Sequence, residues 1–259
     1  MQRPDPHEVT RQVTLSLVLE PLSEKSGCTT RTLDLDESIR LQHLQAAGVN
    51  VASYFYELAK RIEENNNQQP KVYFDLALDA VKNSQKNLQN YGKYINQGLI
   101  TMLFHVVTAS LLTTGDGIEV CKKVPVVLKN SSREDATARN EFRMLVVATS
   151  RRAYKRNFPS LECDNLFDYY HKTVKISEEL QYTSGVIWAE QLMSGLPFIQ
   201  EMYLEAKKNL DKGLLVAMEK SYELGTRLLT INSPGFVADY VGVVTYLLLR
   251  ESDEKPIVQ

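Results

Sequence analysis

The chain has 259 residues, of which 43% are hydrophobic and 24% charged, with a formal net charge of −2. These are the proportions of an ordinary globular protein with one or two domains, and they exclude a disordered, collagenous or membrane-embedded chain. Cys28, Cys121 and Cys163 are odd in number, far apart and without a CxxC pair, which excludes a disulfide framework and a cysteine zinc site. Reduced thiols in a cytoplasmic or nuclear compartment are expected. The start, Met-Gln-Arg-Pro-Asp-Pro-His-Glu, has no apolar core and does not read as a secretory signal. The longest nearly apolar run, 99–112, has 14 residues and includes His105, too short for a bilayer span, so no membrane insertion is expected.

The pattern predicts a mainly α fold, a multi-helix globular bundle with an N-terminal β-hairpin or extended arm. Over 1–35, Val13, Leu15, Leu17 and Leu19 alternate with Thr14, Ser16 and Val18, the two-residue period of a strand. Pro21 ends that run, Ser26-Gly27 can turn, and 29–35 alternates again. A hairpin alone is marginal in water, so it would lie on the helical body or on a neighbouring subunit. From 36 to 250 the period becomes helical. Helices are predicted over 36–47, ended by Gly48, and over 49–64, with Val51, Tyr54, Leu58 and Ile62 on one side. A polar Asn/Gln loop follows, then helices from Pro70 to about Asn90 and over 93–112, the second being the central core helix.

Gly115-Asp116-Gly117 breaks the chain, and the β-branched 118–129 with Pro125 reads as extended, so the body could divide into two lobes near 115–132. Ser131 or Ser132 caps a long helix to about Arg156, with Glu134 and Asp135 in its first turn. Further helices are predicted over 164–175, 177–194, 197–210 and 212–229. The last, 234–250, starts at Ser233-Pro234, and 251–259 is a polar tail. Trp188 reads as helix packing, and 241–249 as an innermost helix.

Charge is divided unevenly. Lys122, Lys123, Lys129, Arg133, Arg139, Arg143, Arg151, Arg152, Lys155 and Arg156 face only Glu134, Asp135 and Glu141, so 122–156 carries +7 and the remainder −9. With Phe142, Leu145, Val146 and Ala153 taken as the core face of the long helix, Arg139, Arg143, Arg151 and Lys155 read as an i, i+4 ridge on the other side. Such a ridge can follow a phosphate backbone, with Tyr154 offering a stacking face. The expected nucleic-acid-binding residues are therefore Lys122, Lys123, Arg139, Arg143, Arg151, Arg152, Tyr154, Lys155 and Arg156. A helix matched to its own dipole, or a surface for an acidic protein, would produce the same composition.

Candidate chemistry is sparse. Asp164, Asp168 and His171 share a predicted helix face, but the second half of a di-metal bundle pattern is absent, and the expectation is no metal and no cofactor. His105 reads as a hydrogen-bonded core histidine. Glu63-Glu64 and Glu178-Glu179 are adjacent and diverge by about 100° on a helix, so neither forms an acid/base pair. No GxSxG, HExxH, Walker A or GxGxxG occurs, and no enzyme activity is expected.

The expected function is a non-catalytic assembly protein that binds RNA or another polyanion through a basic helix and self-associates through its N-terminal arm. A helical adaptor for acidic partners is the alternative, and an enzyme with an unfamiliar helical site the third reading. In architecture this resembles the helical nucleoproteins and coat proteins of RNA viruses. Phe167-Asp168-Tyr169-Tyr170 is loosely similar to the Phe-Asp aromatic element of filamentous plant virus coat proteins. The similarity covers those four residues and assigns none of them a binding role.

Overall fold

A computed structural model describes residues 5–34, 40–84, 96–148, 158–229 and 233–252. Among these residues all regular structure is helical, as the sequence predicts for most of the chain. The N-terminal hairpin is not there. Helix α1, Pro6–Leu19, occupies the alternating stretch: Asp5 Oδ1 accepts from Glu8 N at 2.9 Å and Pro6 opens the first turn. This start signal lies upstream of the alternation and sets a helical phase in which Val9, Val13 and Leu17 form one ridge, all fully buried. A 3-10 turn, Glu20–Leu22, follows at Pro21. Rather than an arm, α1 is part of the body, packed on α2 (Leu41–Asn50), α3 (Ala52–Glu64) and the C-terminal helix. Gly48 does not end α2 but lets it approach α1, since a Cβ there would lie 2.8 Å from Leu17 Cβ.

Helix α4, Asp75–Ser84, leads to α5, Gln97–Leu111, in which every residue from Leu99 to Leu111 is buried, as expected of a central helix. The next stretch corrects a second expectation. Residues predicted as extended form α6, Gly117–Lys129, with Pro125 inside it. Asp116 caps it by accepting from Ile118 N and Glu119 N, both at 3.1 Å. Val120, Cys121, Val124, Val127 and Leu128 bury one helical face against neighbouring helices, and that burial outweighs the β-branching and the proline. Thus the segment expected to divide two lobes packs on α5.

Helix α7, Arg133–Ala148, begins where a serine cap was predicted: Asp135 N donates to Ser132 Oγ at 3.2 Å, and Ser132 N returns a bond to Asp135 Oδ2 at 3.0 Å. Then come α8 (Leu166–Glu179), α9 (Thr183–Ser194), α10 (Pro197–Lys208), α11 (Leu214–Leu228) and α12 (Pro234–Glu251). Helix α12 lies against α1, α5, α10 and α11. At its end Arg250 donates to Gly115 O at 2.7 Å and Thr113 O at 2.9 Å, while Glu251 accepts from Gly117 N and from Tyr203. The turn between α5 and α6 is thereby tied to the last helix. No described helix is long and apolar enough to cross a membrane.

One cluster of acids is placed against this architecture at a cost. The carboxylate of Asp239 sits over the start of α5, accepting from Leu99 N, where Gly98 leaves the space. Burial, with the nearby Glu20 carboxylate adding to it, holds Asp239 well above the usual aspartate range; burial also raises Glu20, which pairs with buried Lys25 at 3.2 Å. A carboxyl whose folded pKa is raised contributes stability below its unfolded value, near 4, and loses it as pH climbs through the folded value. Asp239→Asn is therefore expected to match the parent melting temperature at about pH 4 and to exceed it at about pH 8. Thermal unfolding followed by circular dichroism across that range checks this. A variant whose melting temperature falls with rising pH as steeply as the parent's would refute the assignment.

Candidate functional site: a caged arginine and a buried hydrogen-bond chain

The polar centre of the protein lies between α4, α5, α7, α8 and α9. Asp135, fully buried in α7, accepts from Tyr73 N at 2.8 Å and Phe74 N at 2.7 Å. These bonds cap the start of α4 across the core and set Tyr73 beside α5. From Tyr73 a chain of side chains runs inward. Its hydroxyl lies 3.0 Å from His105 Nδ1, and His105 Nε2 lies 2.7 Å from the Tyr170 hydroxyl. Arg139 Nε–H then donates to the Tyr170 oxygen at 3.2 Å. Tyr73, His105 and Tyr170 are all fully buried.

Burial, helped by the Arg139 charge, pushes His105 well below the ordinary histidine range, so the imidazole is neutral. The proton order follows from the network. A guanidinium at the Tyr170 oxygen makes that hydroxyl the stronger donor, so it donates to Nε2. His105 then keeps its proton on Nδ1 and donates to Tyr73. With no face open to solvent, these three side chains cannot meet a substrate. What they do is hold Arg139.

Arg139 is 8% exposed, and its guanidinium carbon lies 5.1 Å from the Phe142 and Trp188 rings, 5.3 Å from Tyr169 and 5.8 Å from Tyr170. Among the described residues no carboxylate comes within ion-pair distance of it. Burial works against the charge, but the hydroxyls of Tyr169, Tyr170 and Tyr182 outweigh it and hold the pKa above the usual arginine value. Each aromatic face contributes about 0.5–2 kcal/mol toward a desolvated cation. Arg143, one turn on, is also fixed. It donates from Nε to Tyr169 Oη at 3.1 Å, from Nη1 to Phe158 O at 3.3 Å, and from Nη2 to Asn140 Oδ1 at 3.0 Å. A further bond runs to Pro159 O at 2.5 Å, and the guanidinium carbon sits 4.2 Å from the Phe158 ring.

The expected outward ridge is corrected by these contacts. Arg139, Phe142, Arg143 and Val146 stand at i, i+3, i+4 and i+7, which is one face of the helix and the one that meets α8. The exposed residues among the described side chains of α7 are Arg133, Glu134, Thr137, Glu141 and Met144. Of the remaining predicted residues, Lys122 is exposed on α6 and pairs with Glu119 at 3.1 Å, and Lys123 beside it is half-buried. Lys129, exposed, stands 4.7 Å from the centre of the Phe167 ring. Arg151, Arg152, Tyr154, Lys155 and Arg156 lie outside the described residues.

The acidic trio does not converge. Asp168 pairs with Lys172 at 2.8 Å and accepts from Asp164 N at 3.3 Å, while His171 is exposed. Among the described residues no three His, Cys, Asp or Glu side chains could hold a metal ion. The three cysteines are buried free thiols, and burial raises Cys28 and Cys163 to about 11, far from the reactive thiolate range. A shallow open cleft between α4 and α7 is lined by Asp75, Arg133, Glu134 and Glu141 over Leu78 and Ala138.

Tyr169, Tyr170 and Trp188 are the site residues that sequence reasoning did not connect to Arg139. The spacing of Arg139, Phe142 and Arg143 was the available signal. Comparison with protein-family models, with curated proteins and with solved structures finds no match to this chain.

Proposed function

We propose that the chain is a non-catalytic protein that binds the phosphate backbone of RNA through the basic stretch 122–156. The observation that carries the reading is the charge division, +7 over that stretch against −9 elsewhere. A chain with a net charge of −2 overall presents a phosphate with one attractive region and a repulsive remainder. Lys122, Lys129 and Arg133 are exposed, Lys122 beside Glu119 and Lys129 over the Phe167 ring, whereas Arg143 is spent on the protein interior and Arg139 is mostly buried. Binding of this kind reads no base edges, so it is indifferent to sequence and sensitive to salt.

The double variant Lys122→Glu, Lys123→Glu is expected to weaken binding of a labelled single-stranded RNA about tenfold or more at low salt. Its melting temperature should stay within about 2 °C of the parent, because neither side chain holds core structure. Fluorescence anisotropy with the full chain measures the first quantity and circular dichroism the second. An RNA affinity unchanged by the double charge reversal would remove α6 from the interface and the reading with it.

A further inference from the structure

We infer that Arg139 is a preorganised binding site for a single oxyanion of the phosphate class, which it grips through its terminal amino groups. The inference deepens the polyanion reading by naming one phosphate contact, at a residue whose main role looks internal.

The argument starts from what the cage leaves undone. A guanidinium has five N–H donors, and Arg139 uses one, on Nε. Among the described residues the Nη1 and Nη2 groups make no hydrogen bond. Neither nitrogen is among the buried polar atoms that lack a partner, although Nε of Arg250 and the hydroxyl of Tyr240 are. Each Nη nitrogen therefore keeps a small contact with the surface of an otherwise buried residue. The rings of Phe142, Tyr169, Tyr170 and Trp188 stand around the guanidinium carbon.

Such a guanidinium suits an oxyanion for three reasons. Two parallel N–H bonds from one guanidinium match two oxygens of a phosphate, a geometry that lysine cannot copy. No carboxylate within ion-pair distance competes among the described residues, and the Arg143 charge alongside adds to the field. Finally, the ordering has been completed in folding. The rings and the Tyr170–His105–Tyr73 chain hold the guanidinium still, so an anion meets a donor pair that loses little further entropy on binding. An incoming anion supplies the counter-charge that the cage of rings and hydroxyls lacks.

The source is either free inorganic phosphate or a phosphodiester of RNA, and one set of measurements separates them. Thermal unfolding of the full chain is followed in inorganic phosphate against sodium chloride of equal ionic strength. At about ten times the dissociation constant, phosphate should raise the melting temperature by about 3 °C or more. Arg139→Lys, which keeps the charge and loses the paired geometry, should abolish the rise, and Arg139→Met should do the same. Should the methionine variant fail to fold, the lysine variant carries the test. If RNA is the source, Arg139→Lys also weakens RNA binding and phosphate competes with RNA; if RNA binding is untouched, the site serves the free anion. A parent with no phosphate-specific stabilisation, or an equal rise in Arg139→Lys, overturns the inference. Neither result touches the RNA reading, which stands or falls on Lys122 and Lys123.

Discussion

Deleting residues 1–22 is expected to abolish cooperative folding, not to yield a helical body with one appendage fewer. Val9, Val13 and Leu17 are each fully buried, and burying three such side chains contributes about 5–9 kcal/mol. A domain of this kind has about 5–15 kcal/mol of net stability in all, so removing α1 takes most of it. The faces of α2, α3 and α12 that α1 covers would also be opened to water. A single substitution makes the same point with less disturbance: Val13→Asp places a charge where no partner exists, at a cost of several kcal/mol. Far-UV circular dichroism on heating is the measurement. Loss of the sigmoidal transition in both variants is the expected outcome, and a truncated chain that melts cooperatively at the parent temperature would show α1 to be peripheral.

Tyr170→Phe is expected to be the most damaging single-atom deletion in the polar centre. The hydroxyl serves two partners at once, His105 Nε2 at 2.7 Å and Arg139 Nε at 3.2 Å. Its loss leaves a neutral acceptor and a charged donor buried and unpaired, together about 3 kcal/mol or more. For a chain of this length that corresponds to a fall of about 6–12 °C in melting temperature. Tyr169→Phe is the control, since among the described residues its hydroxyl hydrogen-bonds only the half-buried Arg143, which keeps three other acceptors; about 1 kcal/mol is expected there. Equal effects of the two substitutions would mean that the chain through His105 does not hold Arg139.

Apolar periodicity over long runs was sufficient to locate the central helix α5 and the closing helix α12, because almost every residue in them is buried and no competing period exists. His105 was legible as a core histidine for the same reason. Helix α1 was not, because Val13, Leu15, Leu17 and Leu19 fit both a strand of period two and, taken in steps of four with Val9, a helix ridge. Only the Asp5-Pro6 cap decides between them. At α6, Pro125 and the valines argued for extended chain, while the packing that overrides local preference comes from elements remote in sequence.

The candidate site was half legible. The ten basic residues and their partition are sequence facts, and Lys122, Lys123 and Lys129 need no correction as surface or part-surface charges. Arg139 and Arg143 read as outward when Phe142, Leu145, Val146 and Ala153 are taken as the core face, whereas the helix buries Ala138 and Arg139 along with Phe142. Arg139 stands three residues before Phe142 and four before Arg143, so the three can line one side of the helix, and long arginine stems bury well beside aromatic rings. What no local pattern could supply is the identity of those rings, Tyr169, Tyr170 and Trp188, which belong to two later helices.

The claim that the basic stretch meets phosphate is tested most directly by RNA affinity as a function of salt. The dissociation constant of a single-stranded RNA, measured by anisotropy from about 50 to 300 mM sodium chloride, should rise steeply. With about five phosphates contacted, the logarithm of the association constant should fall against log salt with a slope near −3.5. A slope near zero, or no binding at 50 mM salt, would contradict the account.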